Sequence, residues 1–196
     1  MAAVLLDKEY TPEDLLAMSD GPRYELFKGR LVEKSMGAKA SLIAVAVTYL
    51  LGPFARGKRL GLVFGSDCGY QCFATDPKRV VFPDASFIRR GRLPNDEAPD
   101  GHVHIPPDMA LEVVSPSNLA EQLMQKILDY LQAGVRLIWV VFPRSRTLLV
   151  FRSNNSVSRL KPEDELSGEE IIPGFASRVA ELFEEFPADP TNHAPS

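Results

Sequence analysis

MALEVVSPSNLAEQLMQKILDYLQAGVRLIWVVF, residues 109–142, decides the fold. MALEVV is a run of small and branched apolar residues, the composition of a buried strand. Asn118 and Glu121 stand three apart in a capping-box pattern, which opens a helix to about Ala133, and Gly134 ends it. VRLIWVVF, residues 135–142, is a second buried strand. Working outward, the order is a helix, a hairpin, a long helix, several strands, a helix and further strands. A mixed α/β sheet flanked by helices is the packing that buries such a set.

Glu112 is out of place in this stretch. Ala110, Glu112 and Val114 share one face of the strand, and Met109, Leu111 and Val113 share the other. An ionised carboxylate on a face of Ala and Val costs several kcal/mol to desolvate unless it is paired or bound to a cation. Asp84 repeats the pattern within VVFPDASFI. Strand ends that bring the two acids side by side make them repel, unless a cation lies between them. Mg²⁺ suits such a place, because it prefers hard oxygen ligands and keeps waters that can act as nucleophiles. The plainer alternatives are a turn cap after Pro83 for Asp84 and an arginine partner for Glu112.

The helix adds a base. Leu119, Leu123, Ile127 and Leu131 define an apolar stripe. Lys126 and Tyr130, four apart, stack at its edge, so Lys126 can reach inward toward the preceding strand. The plainer reading is a lysine snorkelling at the core boundary beside a packed tyrosine.

Upstream, Thr11-Pro12-Glu13-Asp14 opens a short helix. YELFKGRLVEK, residues 24–34, is a hairpin turning at Lys28-Gly29. Residues 38–55 carry Ile43, Val47, Leu50, Leu51 and Phe54 at helical spacing, and Pro53 is expected to end or fray that helix. GLVFGSDCGYQCFA, residues 61–74, reads as one or two strands, and Lys78 to Ile88 as another interrupted by Pro83. Residues 89–106 are loop-like, rich in Pro, Gly and charge. TLLVFRS and SVSRLKP are further strands, and Phe175 to Phe183 a short terminal helix. One domain over residues 1–186 and a disordered tail over 187–196 complete the division.

At this point the residues resemble a known family. PDASFI, then ALEVVSPSN, Lys126, Tyr130, AGV and IWVVFP, resemble the Uma-type family of restriction-endonuclease-like proteins, in the PD-(D/E)XK nuclease superfamily. The resemblance runs from YTPEDLLAM and YELFKGRLVE through IIPGF and is carried by the order and spacing of these motifs. It implies a restriction-endonuclease-like α/β core and Mg²⁺- or Mn²⁺-dependent hydrolysis of phosphodiester bonds in DNA. Asp84 matches the metal-bridging acid, and Glu112 matches the second acid, with the Val113 backbone carbonyl as a further ligand. Val114 stands where the lysine of the motif is expected, so the resemblance assigns that role to Lys126. Glu25, in YEL, matches an acid that completes the site, and Tyr130 supports it. Ala40 stands where many relatives carry histidine, and Phe142 where aspartate is common. These departures motivate the alternative of a weakened or inactive nuclease-fold protein acting in nucleic-acid binding or protein association. Such nucleases often pair two sites, which makes a homodimer an expectation.

Composition sets looser bounds. The 196 residues include 22 basic and 26 acidic side chains, a balance that marks no general affinity for nucleic acid, although a local basic face can supply one. Arg56, Lys58, Arg89 and Arg90 are the candidate phosphate contacts. Cys68 and Cys72, if on one strand, lie roughly 13 Å apart, too far for a disulfide. A reduced cytoplasmic setting is expected. The first residues lack a signal peptide's charge pattern, and no stretch approaches the ~20 apolar residues of a membrane span. His102 and His104 form an HxH pattern in a loop and are expected to be solvated. Trp139 is expected in the core. A glycoside hydrolase would need two carboxylates across an aromatic cleft, and no aromatic lining is evident.

Overall fold

A computed structural model describes residues 8–34, 37–115 and 120–184. Asn118, Leu119 and the expected tail fall outside them. Among the described residues, the centre is a six-stranded sheet in the order β3-β4-β5-β6-β7-β8. Its strands are β3 (Gly61–Phe64), β4 (Ala85–Arg89), β5 (Met109–Val113), β6 (Leu137–Phe142), β7 (Thr147–Arg152) and β8 (Val157–Leu160). β5 and β6 run parallel, and every other neighbouring pair is antiparallel. A parallel pair needs a crossover, and α3 (Ala120–Ala133) lies in it. This is the strand–helix–strand of residues 109–142.

Two cores follow from the alternation of β5. Met109, Leu111 and Val113 pack with Trp139 and Val141 against α2 (Ala38–Gly57), through Ile43, Val47 and Leu51. Ala110 packs on the other side with Ile138 and Val140 against Ile127 and Tyr130 of α3. All five β5 residues are buried, so Glu112 is enclosed by its strand's position rather than by its own preference.

The N-terminal segments form as the sequence indicates. Thr11 caps α1 (Pro12–Ala17), and Asp14 reaches back to the Thr11 amide at 3.0 Å. β1 (Tyr24–Phe27) and β2 (Arg30–Glu33) pair antiparallel. Their turn has Lys28 at φ 48° and Gly29 at φ 74°, the left-handed pair of a tight two-residue hairpin. Leu26 bridges to Val80 through backbone hydrogen bonds, which fastens the hairpin to the segment leading into β4.

Several expectations need correction. Pro53 lies inside α2, and the helix continues to Gly57. Proline removes one helical hydrogen bond, but Leu51 and Ala55 on either side are buried in the core and hold the last turn in place. With 20 residues, α2 is also long and apolar enough to cross a membrane by length and composition, contrary to the expectation of no such stretch; here one of its faces covers the sheet. Residues 65–84 form no second strand, and Tyr70 makes isolated bridges to Val81 and Val103. The buried residues of α3 are Ile127 and Tyr130, whereas Leu123 and Leu131 are partly buried; the apolar face is therefore rotated toward Tyr130. The C-terminal segment is not a helix from Phe175. β10 (Ala176–Arg178) pairs with β9 (Glu165–Ser167), and a 3-10 turn spans Val179–Phe183. His102 is not solvated: it is 7% exposed, with Nε2 3.1 Å from the Pro12 carbonyl. Trp139 is fully buried, as expected.

The central strand carries the fold, so Leu111→Ala should lower the unfolding free energy by about 2–5 kcal/mol. Urea denaturation measures this, and a loss below about 1 kcal/mol would contradict the packing described.

Candidate active site

Glu112 sits near the end of β5 and faces α3. Tyr130 donates its hydroxyl hydrogen to Glu112 Oε1 at 2.8 Å. Lys126 Nζ lies 2.8 Å from Glu112 Oε1 and 2.9 Å from Oε2. The i, i+4 spacing on α3 that lines up Lys126 and Tyr130 therefore delivers both donors to one carboxylate. The partner of Glu112 is this lysine, not an arginine.

Glu25 enters from the hairpin. Its Oε1 lies 2.7 Å from Lys126 Nζ and accepts the Phe82 amide at 3.2 Å. One ammonium thus joins carboxylates from β1 and β5 while standing on α3. A further pair fixes α3 from outside: Arg79 donates to Asp129, both side chains being largely buried. The Arg79 guanidinium lies 5.1 Å from the Phe27 ring centre and 4.8 Å from that of Phe73.

Asp84 immediately precedes β4. Ala85 pairs with Leu111 in the ladder, so continuing the register by one residue sets Asp84 opposite Glu112. The Asp84 amide donates to the Leu111 carbonyl at 2.9 Å. Its Oδ2 accepts the Val113 amide at 2.7 Å. Asp84 is therefore locked across the two strands rather than capping a turn after Pro83. Among the described residues, its Oδ1 carries no hydrogen bond.

The electrostatics follow from burial and crowding. Burial, then the neighbouring Asp84 and Glu25 charges, push Glu112 up to about 7 against the opposing pull of Lys126. Burial also raises Asp84, offset in part by the Val113 amide and by the lysines. Burial opposes the Lys126 charge, yet Glu112 and Glu25 outweigh it and hold its pKa above the usual lysine value. Burial raises Tyr130 far above the usual phenol range, with Glu112 and Glu25 adding to the effect. It stays a protonated donor.

The structure brings together Glu25, Asp84, Glu112, Lys126 and Tyr130, with the Val113 amide on Asp84. It does not bring in the basic candidates. Arg89 ends β4 and Arg90 follows it, roughly 17 Å along the strand from Asp84 by strand rise. Arg56 lies in the last turn of α2 and Lys58 caps it; all four side chains are exposed. Ala40 lines a cavity beside Asp84, and Phe142 is partly buried on the α3 side of the sheet. Cys68 and Cys72 are free thiols outside any strand. Sequence reasoning missed Lys34, which the site carboxylates and Lys126 reach electrostatically and which burial holds below the usual lysine value. It follows a polar strand, RLVE, and gives no local signal of enclosure.

Among the described residues, no three His, Cys, Asp or Glu side chains close into a metal cage. The oxygens present are hard donors: Asp84 Oδ2 accepts the Val113 amide, its Oδ1 carries no hydrogen bond among the described residues, and the Glu112 carboxylate is held by Lys126 and Tyr130. This fits Mg²⁺, which binds through one or two carboxylates and keeps its other positions for water and phosphate oxygens. The crowding that raises Glu112 is also what a divalent cation would relieve.

A group whose pKa is raised on folding stabilises the protein below its unfolded value and loses that contribution as pH rises through its folded value. Metal-free wild type should therefore lose stability relative to Glu112→Gln as pH rises from near 4.5 to about 7. Paired urea titrations across pH 4–8 measure the difference, and a flat difference would contradict the assigned shift.

A structure of a "putative nuclease belonging to DUF820" from Anabaena variabilis ATCC 29413 is similar to this chain, with a TM-score of 0.73. At 20% identity, the match covers 88% of this chain and 97% of the other, and it shows a shared fold. A comparison with curated proteins finds no match. Residues 12–180 match the Uma2 family, described as "Putative restriction endonuclease". That span holds every residue of the cluster, and the chain belongs to the Uma2 family.

Proposed function

We propose that the protein is a metal-dependent endonuclease that hydrolyses phosphodiester bonds in DNA, with Mg²⁺ as its ion and Mn²⁺ as a substitute. One observation carries the reading. Glu112, buried in a central strand, shares a small space with Glu25 and the neighbouring Asp84, and Lys126 is the cation in hydrogen-bond contact with two of these three acids. A cluster with surplus negative charge and one oriented ammonium suits a cation and a phosphate. Membership of the Uma2 family supports the same class of chemistry.

Asp84 and Glu112 would hold the ion, with the Val113 carbonyl as a third oxygen. Bound Mg²⁺ supplies a water of lowered pKa and neutralises phosphate charge. The remaining work falls to the chain. The Val113 amide fixes one oxygen of Asp84 and leaves the other free to ligate. Tyr130 orients Glu112 by a neutral hydrogen bond, which leaves the carboxylate its charge. Lys126 supplies a fixed positive charge that orients the attacking water and stabilises the charge that grows on the phosphate. Glu25 holds Lys126 in place when Glu112 is engaged elsewhere.

Plasmid and oligonucleotide cleavage with Mg²⁺ or Mn²⁺ tests the reading. EDTA should abolish cleavage, and added metal should restore it. Asp84→Asn and Glu112→Gln should each lower the rate by at least about a hundredfold with unchanged far-UV circular dichroism. Folded wild type that cleaves no DNA and binds no divalent ion would overturn the proposal in favour of a non-catalytic nuclease fold.

A further inference from the structure

We infer that Lys34 is a phosphate-contacting residue, holding the bound DNA strand beside Asp84; the inference rests on the nuclease reading above. Lys34 follows β2, and its amide is fixed to the Arg23 carbonyl at 2.8 Å. Its side chain turns inward. Nζ donates to the Ser66 carbonyl at 3.2 Å and stands 5.4 Å from the centre of the Phe82 ring.

Lys34 and Asp84 line one cavity of about 220 Å³, together with Ser41, Ser66 and Asp67. This open cavity adjoins the acid cluster. A phosphate that reaches Asp84 through it passes Lys34. Asp67 is exposed and accepts the Ser66 hydroxyl at 3.3 Å. The first turn of α2 adjoins the same space through Gly37 and Ala40, and the N-cap residue, Gly37, offers that helix end no side-chain hydrogen bond.

A count of donors separates the two lysines. Lys126 is engaged by both oxygens of Glu112 and by Glu25. Lys34 has three N–H donors, and the Ser66 carbonyl takes one. Among the described residues, no carboxylate lies within ion-pairing distance of it. Asp84, Glu25 and Glu112 favour its charge from further away, against its partial burial and the Lys126 charge. Among the described residues, Lys34 is thus a partly buried cation with donors to spare, facing a cavity next to the candidate metal ligands. An anionic phosphate oxygen completes its coordination as Ser66 alone does not.

Fluorescence anisotropy with a 20-base-pair duplex, in EDTA over a series of salt concentrations, tests the contact without turnover. Steady-state cleavage in Mg²⁺ accompanies it. Lys34→Met should weaken binding by about five- to tenfold and flatten the log–log salt slope by about 0.9, the loss of one phosphate contact. KM should rise by a similar factor with kcat within about twofold, and Lys34→Arg should restore both slope and KM. A Lys34→Met protein with a lowered melting temperature but unchanged salt slope and KM would overturn the inference, leaving Lys34 as a prop for the Ser66 turn. Wild type that neither binds nor cleaves DNA would instead sink the nuclease reading and this inference with it.

Discussion

The Lys126 ammonium, enclosed between Glu25 and Glu112, is the interaction on which the site depends. Among the described residues, it is the one point where the hairpin, the central strand and the crossover helix meet through charge. Breaking a buried pair by removing one partner leaves an uncompensated charge and costs about 3–5 kcal/mol. The surrounding contacts keep the three elements aligned. Arg79 and Asp129 tie α3 to the hairpin side, and the Leu26–Val80 bridge ties the hairpin to the approach to β4. The scaffold thus holds an arrangement that is poorly balanced on its own.

That imbalance is informative. One contacting lysine cannot neutralise Glu25, Glu112 and Asp84 together, and burial removes the water that would otherwise screen them. A core selected for stability alone would fill this space with apolar side chains. Keeping three acids there makes sense if a cation and an anionic substrate supply the missing terms. The positions of Tyr130 and the Val113 amide agree with this view, because each fixes a carboxylate without adding charge.

Much of this was legible in the sequence because charge stood against an apolar background. Glu112 in MALEVV and Asp84 in VVFPDASFI announced themselves, and helical spacing placed Lys126 and Tyr130 together. Glu25 was different: in YELF a glutamate is unremarkable, and the family resemblance alone pointed to it. Lys34 gave no sign, since its enclosure comes from Ser66 and Phe82, which are distant in sequence. The rotation of α3 does not follow from its leucine spacing, because Ile127 and Tyr130 are its buried residues. Tyr130 goes inward because Glu112 accepts its hydroxyl, while Leu128 and Met124 remain exposed. Residues 65–84 resembled strands by composition, but their buried residues are held by single bridges and side-chain bonds such as Tyr70 to Ser86 at 2.6 Å. The pairing of β9 with β10 involves three residues on each side, too short a pattern to read.

The most direct test of the central claim is the anomalous scattering of a crystal soaked in Mn²⁺. The account predicts a peak within coordination distance of both Asp84 and Glu112, with Lys126 still bonded to Glu25. A peak elsewhere, or none at saturating Mn²⁺ with Lys126 still spanning both acids, would contradict it.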